Sequence, residues 1–96
     1  MSGFVLSPLA QADIDGIWDY TADHWNEQQA DAYVGVIRAA IERVAKRPQL
    51  GRACDKLRAG YRRIDAGSHV VFFRVNGDVA EVIRILHESM DFDRHL

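Results

Sequence analysis

A chain of 96 residues with a formal net charge of −2, 48% apolar and 27% charged, has room for one domain and the composition of a folded one, which excludes a disordered chain. Its single cysteine, Cys54, excludes an internally disulfide-stapled extracellular fold, and no apolar run approaches the roughly 20 residues that span a bilayer. Met1 to Leu9 carries neither the basic nor the apolar region of a secretory leader, so the expectation is a soluble cytoplasmic protein of one domain over 1–96.

Phe4-Val5-Leu6 predicts a brief first strand. Ser7 suits a helix N-cap, and Pro8 the first helical position, where its missing N–H costs nothing. Ala10, Ile14, Ile17, Trp18, Thr21 and Trp25 follow at helical spacing, with Asp13, Asp15, Asp19 and Asp23 largely on other faces. That pattern predicts an amphipathic helix over about 8–24. Asn26 with Gln29 fits a capping box opening a second helix. Its stripe is Ala30, Tyr33, Val34, Ile37, Ile41 and Val44. Arg43, Lys46 and Arg47 complement the dipole in its last turn, and Pro48 ends it. So short a link predicts an antiparallel helical hairpin.

Gln49 to Lys56 reads as a loop marked by Gly51. Three strands are then predicted: Leu57 to Ile64, His69 to Val75, and Val79 to His87. Ala66-Gly67 and Asn76-Gly77 are the turn signals between them. Glu88 to Leu96 reads as a polar tail. The order implies an α+β fold: an N-terminal strand and a helical hairpin packed on a small, mainly antiparallel sheet.

Charge is unevenly spread. Met1 to Ile37 holds no Lys or Arg, whereas Arg52, Lys56, Arg58, Arg62 and Arg63 crowd one stretch against Asp55 alone. Such a strip suits nucleic acid or an acidic protein partner, or is simply solvated. The four histidines, His24, His69, His87 and His95, fall in different predicted elements without metal-ligand spacing, so no metal or cofactor is expected. No phosphate-loop, dinucleotide, nucleophile-elbow or zinc-protease motif is present. Cys54 reads as an inert loop thiol, and Asp15 with Asp19 as a solvated helix face. Trp18 lies on the apolar stripe. Trp25, at the bend, either packs over the hairpin end or is exposed to a partner.

The constellation with chemical potential is Arg62, Arg63, Arg84 and His87. Alternation sends Arg62 and Arg63 to opposite faces of one strand. It separates Arg84 from His87 as well, unless the last strand ends or bulges near Leu86. An Arg inside a strand this apolar needs a ligand or an internal partner, for which Asp65, Glu81 and Asp91 are candidates.

Leu6 to Ile14 with Ile17-Trp18-Asp19-Tyr20, Leu57 to Arg63, Gly67 to Arg74, and Val82 to His87 followed by Ser89-Met90-Asp91 together resemble the ParE toxins of the ParE/RelE superfamily. The similarity runs from Leu6 to Leu96. It implies a compact fold like that of the RelE ribonucleases, and a ParD-like antitoxin whose flexible C-terminal segment wraps the toxin. It also implies DNA gyrase as target, with blocked replication and cell division as the outcome. RelE-like relatives instead cleave messenger RNA on the ribosome. Arg63, Arg84 and His87 are similar to parts of that catalytic set, Lys56 and Arg58 only partly echo its basic cluster, and no Tyr follows the last strand. The first expectation is therefore a toxin that acts by binding, without catalytic residues, and the alternative is the ribonuclease. Arg63, Arg84 and His87 are the target-binding candidates. Trp25, Arg58 and Arg62 are the antitoxin-binding candidates. No membrane partner and no specific DNA binding by this chain alone are expected.

Overall fold

A computed structural model describes residues 3–96; Met1 and Ser2, included in the expected domain, lie outside the described residues. Strand β1 (Gly3–Leu6) leads into helix α1 (Pro8–His24) and helix α2 (Glu27–Lys46). A single 3-10 turn at Pro48–Leu50 precedes β2 (Arg52–Ala53), β3 (Arg62–Ala66), β4 (His69–Asn76), β5 (Val79–His87) and a short helix α3 (Phe92–His95). The sheet has the order β1-β5-β4-β3-β2, with β1 parallel to β5 and the other neighbours antiparallel. The fold is α+β.

Local chemistry explains the helix ends. The Ser7 hydroxyl accepts from the Ala10 amide at 3.0 Å and donates to the Ile83 carbonyl at 2.7 Å, so one side chain both caps α1 and ties it to β5. Asn26 accepts from the Gln29 amide at 2.8 Å. No return bond from the Gln29 side chain accompanies it among the described residues, so only half of the expected capping box forms. Pro48 does end α2, as its missing amide requires.

The expected stripes pack largely as read. Ile37, Ile41, Val71, Val82 and Ile85 form one buried core with Ile14 and Ile17 against it, and Phe73 packs with Val44 beside them. Ile83 is only half-buried and belongs to neither cluster. Trp18 leaves the core as well. It is half-buried and donates from Nε1 to Asp31 at 2.9 Å, cross-linking the two helices.

Three boundaries differ from the sequence reading. The strand expected over Leu57–Ile64 starts only at Arg62, because Asp55 accepts from the Gly60 amide at 2.8 Å and Gly60 turns the chain at φ 81°. The loop expected over Gln49–Lys56 contains β2. Gly51 there lies so close to the Phe73 ring that a Cβ would come within 2.5 Å of it. Both hairpin turns sit one residue later than read, at Gly67-Ser68 and Gly77-Asp78, with positive φ only at the glycine that comes first in each.

The tail is not merely polar. Val70, Phe72 and Leu86, on the sheet face away from α1 and α2, are covered by Cys54, Leu57, Met90, Phe92 and Leu96. We call this the far face. Asp91 caps α3 by accepting from the Asp93 amide at 3.2 Å.

Candidate functional site

A β-bulge decides where the strand residues point. Phe73 pairs with Val82 but Phe72 pairs with Arg84, so β5 carries one extra residue at Ile83. Ala80 and Val82 face the helices. Beyond the bulge Ile85 and His87 do so, while Arg84 and Leu86 turn to the far face. Arg84 and His87 therefore do lie on opposite faces. The irregularity precedes both of them and leaves their relative parity intact.

Arg84 has an internal partner, and it is none of the three proposed from sequence. Asp65 lies 3.5 Å from Arg63, Glu81 takes Arg74 at 2.8 Å, and Asp91 caps α3. Asp13 of α1 instead grips Arg84 with both oxygens, at 2.8 and 2.9 Å. β1 ends opposite Val82, so β5 has an unpaired edge beyond it. Asp13 fills that vacancy by also accepting from the Ile85 amide at 2.9 Å. Arg84 Nη1 donates to the His95 carbonyl at 3.0 Å, which ties α3 to the sheet. The two side chains are only 16% and 15% exposed. The Asp13 bonds push the Arg84 pKa up against its burial, holding the guanidinium charged.

Arg63 shares the far face with Arg84, since Phe72 stands between them in register. Its guanidinium lies 5.8 Å from the Phe72 ring centre and 5.2 Å from that of Phe92, so α3 roofs it with an aromatic. Arg63 Nε is buried without a hydrogen-bond partner among the described residues. Arg62 donates to the Gly51 carbonyl at 2.8 Å. Arg58 donates to the carbonyls of Leu57 and Leu96 and lies 4.0 Å from Asp93. Arg58, Arg62 and Arg63 of the expected basic strip are thus engaged with the protein's own loop, strand and tail. Burial pushes the Cys54 thiol up, more than Arg63 draws it down, which leaves it a poor nucleophile.

The open feature lies on the helix side. A groove of about 700 Å³ runs between α1, the start of α2 and the ends of β4 and β5. Ile17, Tyr20, Trp25 and Met90 supply its apolar surface. Trp25 is 74% exposed and Tyr20 62%, so the bend presents its aromatics outward. His69 and His87 face each other across β4 and β5, their ring centres 5.2 Å apart, and Tyr33 Oη lies 2.6 Å from His69 Nδ1. Burial, then the neighbouring His87, lowers the His69 pKa, against smaller opposing effects of Asp13 and Glu88. Of the sequence candidates, this groove gathers Trp25 and His87. Arg63 and Arg84 sit together on the far face, and Arg58 and Arg62 are outside both groups.

Sequence reasoning missed Asp13, His69 and Tyr33. Asp13 could have been found: it is three residues after Ala10 and four before Ile17, on the buried stripe itself. His69 had no such signal, because only the bulge brings it opposite His87. Among the described residues no three His, Cys, Asp or Glu side chains gather in metal-binding geometry. No described helix is long and apolar enough to cross a membrane.

Comparison with known proteins places these features in a family. Residues 4–92 match the family model described as ParE toxin of type II toxin-antitoxin system, parDE. The chain is 49% identical to Toxin ParE1 of Mycobacterium tuberculosis over 96 residues, covering 99% of this chain and 98% of that protein. It is 47% identical to Toxin ParE1 of Caulobacter vibrioides over 96 residues, covering 100% and 99%. A solved structure described as a chromosomal ParDE TA system from P. aeruginosa superposes with a TM-score of 0.77 over 91% of this chain and 95% of that one, at 22% identity, and shows the same fold. The chain belongs to the ParE toxin family of type II toxin–antitoxin systems.

Proposed function

We propose that this ParE toxin acts in the cytoplasm by binding DNA gyrase, without catalysis, and so blocks replication and cell division. We further propose that a ParD-like antitoxin neutralises it. The observation that carries the binding reading is the Asp13–Arg84 pair. RNA cleavage by attack of a 2′-hydroxyl needs cations on the phosphate, a base and an acid. Arg84 is bound to Asp13 and to the His95 carbonyl, and it faces away from His87. A guanidinium so committed is spent on the fold.

The antitoxin segment seats in the groove, with Trp25 as an aromatic anchor. Arg58, its side chain 43% exposed, and Arg62 are the cations that acidic stretches of the same segment would meet. A segment that orders on binding can cover both regions despite its ordering cost. Of the three target-surface candidates, Arg63 on the far face and His87 in the groove remain, and Arg84 serves that surface by holding the fold that presents it.

One observation favours the ribonuclease as a second reading. His69 supplies, beside His87, the second proton carrier absent from the sequence reading. Expression without antitoxin separates the two, with plasmid supercoiling and messenger RNA cleavage followed in parallel. Altered supercoiling with intact RNA is the expected result. Codon-positioned cuts lost in His87→Gln, with supercoiling untouched, would establish the ribonuclease instead.

A further inference from the structure

The groove is lined on one side by aromatic and aliphatic groups and on the other by two imidazoles, whose hydrogen bonds decide which nitrogen His87 offers and favour the same one at His69. The Ser89 amide donates to His87 Nδ1 at 3.1 Å, and the Ser89 hydroxyl lies 2.7 Å from the same atom. A backbone amide can only donate. His87 Nδ1 is therefore an acceptor, and the neutral ring carries its proton on Nε2. At His69 the chain of bonds is one step longer. Tyr33 Oη accepts from the Ser68 amide at 3.0 Å and lies 2.6 Å from His69 Nδ1, to which its own proton is free to donate. With that donation His69 also carries its proton on Nε2. Neither Nε2 has a hydrogen-bond partner among the described residues, and neither is sealed from solvent.

Two N–H donors thus stand on directly opposed strand residues, in the wall of a groove that has no lysine or arginine in its lining. The one carboxylate there, Asp13, is already taken by Arg84 and the Ile85 amide. We propose that the paired Nε2–H groups of His69 and His87 are a carboxylate-recognition site, taking an Asp or Glu side chain of the segment that seats its apolar neighbours against Ile17, Tyr20 and Trp25. The proposal rests on the reading that the groove receives an antitoxin segment. A phosphodiester is a poor match, because a nucleic-acid backbone needs Lys or Arg and the groove lining offers neither.

Capture of a carboxylate should be linked to proton uptake. The groups facing the pair are Asp13 and Tyr20 from α1, Tyr33 from α2 and Glu88 after β5. Burial and the second imidazole keep His69 neutral in the empty groove near neutral pH. A bound carboxylate would stabilise the imidazolium form of His69, whose Nδ1 faces a hydroxyl that can accept. Affinity for a carboxylate should therefore tighten as pH falls from 7.5 to about 6, whereas an uncharged isostere should show no such trend.

The test uses the full chain with 4-phenylbutyrate, its amide and phenyl phosphate as probes, read by imidazole nitrogen NMR. The carboxylate should perturb both Nε2 signals and bind roughly tenfold more tightly than the amide, as a charge-assisted hydrogen bond requires. His87→Gln keeps a neutral donor near the Nε2 position. It should retain most of that preference at pH 7.5 together with the pH dependence that His69 carries. The double variant His69→Phe with His87→Phe, checked for folding by circular dichroism, should bind carboxylate and amide alike. Equal affinity for the two probes in the unaltered chain, no perturbation at millimolar probe, a proton found on Nδ1, or tighter binding of phenyl phosphate would each overturn the proposal. Antitoxin capture that survives undiminished in the double variant would overturn it too, while leaving the groove reading standing. Failure of the unaltered chain to capture any antitoxin would sink that reading, and the probe comparison would still decide this one.

Discussion

Two long helices cover one face of the sheet, while a loop and a short tail cover the other. On the helix side Ile37, Ile41, Val71, Val82 and Ile85 are at most 2% exposed, packed by side chains at regular helical and strand spacing. On the far face Val70, Phe72 and Leu86 are just as buried, yet their cover is Leu57, Met90, Phe92 and Leu96 from a loop and a tail with a single short helix. That cover is fastened by cations: Arg58 and Arg84 donate to tail carbonyls, and Arg63 lies against Phe92. The lesson is that a run of Arg residues can serve as the anchor of a cover and need not be a docking strip. Regular elements supply the hydrophobic enclosure, and guanidinium groups hold what cannot enclose itself.

Substitutions on the two sides should separate these modes of cover. The largest effect is expected for Ile37→Ala, which removes a fully buried side chain between two helices and a sheet and should cost about 2–5 kcal/mol in urea unfolding. A near-silent result would mean that the helix side tolerates a cavity and the contrast is false. Next is Asp13→Ala, which strands the Arg84 charge and leaves the Ile85 amide unpaired. It should cost about 3 kcal/mol, whereas Asp13→Leu combined with Arg84→Met should recover much of the loss. Failure of the double variant to recover would place the stability in the amide bond and not in the charge pair.

Phe92→Ala tests the far side directly. The ring is half-buried against Phe72 and Arg63, so about 1 kcal/mol is expected, less than for a fully enclosed aromatic. Hydrogen exchange should quicken at Phe72 and Leu86 and stay unchanged at Ile37. The smallest effect concerns pH. His69 has a lowered pKa in the folded protein, so the unfolded chain takes up its proton first as pH falls below about 6.5. Stability should therefore be full above that pH and drop through the folded pKa. His69→Gln should flatten that acid limb. An unaltered pH profile would show that burial of this imidazole carries no energetic consequence.

The sequence was legible where spacing is regular. Ser7, Pro8, Asn26 and Pro48 fix the helix ends, and the stripe from Ala30 to Val44 places its core face without tertiary information. It was illegible where one residue of register decides the outcome. With a regular ladder from the Asn76–Val79 pair, His69 would stand opposite Leu86. The extra residue at Ile83 moves it opposite His87 and sets Arg84 opposite Phe72, at a far-face position of the strand. No residue type near Ile83 announces that bulge. The tail was read by its polarity, which hid the three apolar side chains that Met90, Phe92 and Leu96 set down on the far face.

The parallel pairing of β1 with β5 bears on the order in which a ribosome releases this fold. Gly3 to Leu6 find their partners at Val79 to Val82, and the Ser7 hydroxyl meets Ile83, 76 positions later. No part of the sheet can pair with β1 until Val79 to Val82 have been synthesised, and contacts so distant in sequence are slow to close. During translation the helical hairpin emerges with its apolar stripe uncovered, because β4 and β5, which cover it, come last. A nascent chain is therefore a poor toxin and a good substrate for proteases or holding chaperones. Chains stalled on the ribosome after Asp78 should be cut readily within α1 and α2. Chains extended so that His87 has cleared the exit tunnel should resist. Equal resistance of the two would show that the hairpin acquires its structure without the sheet.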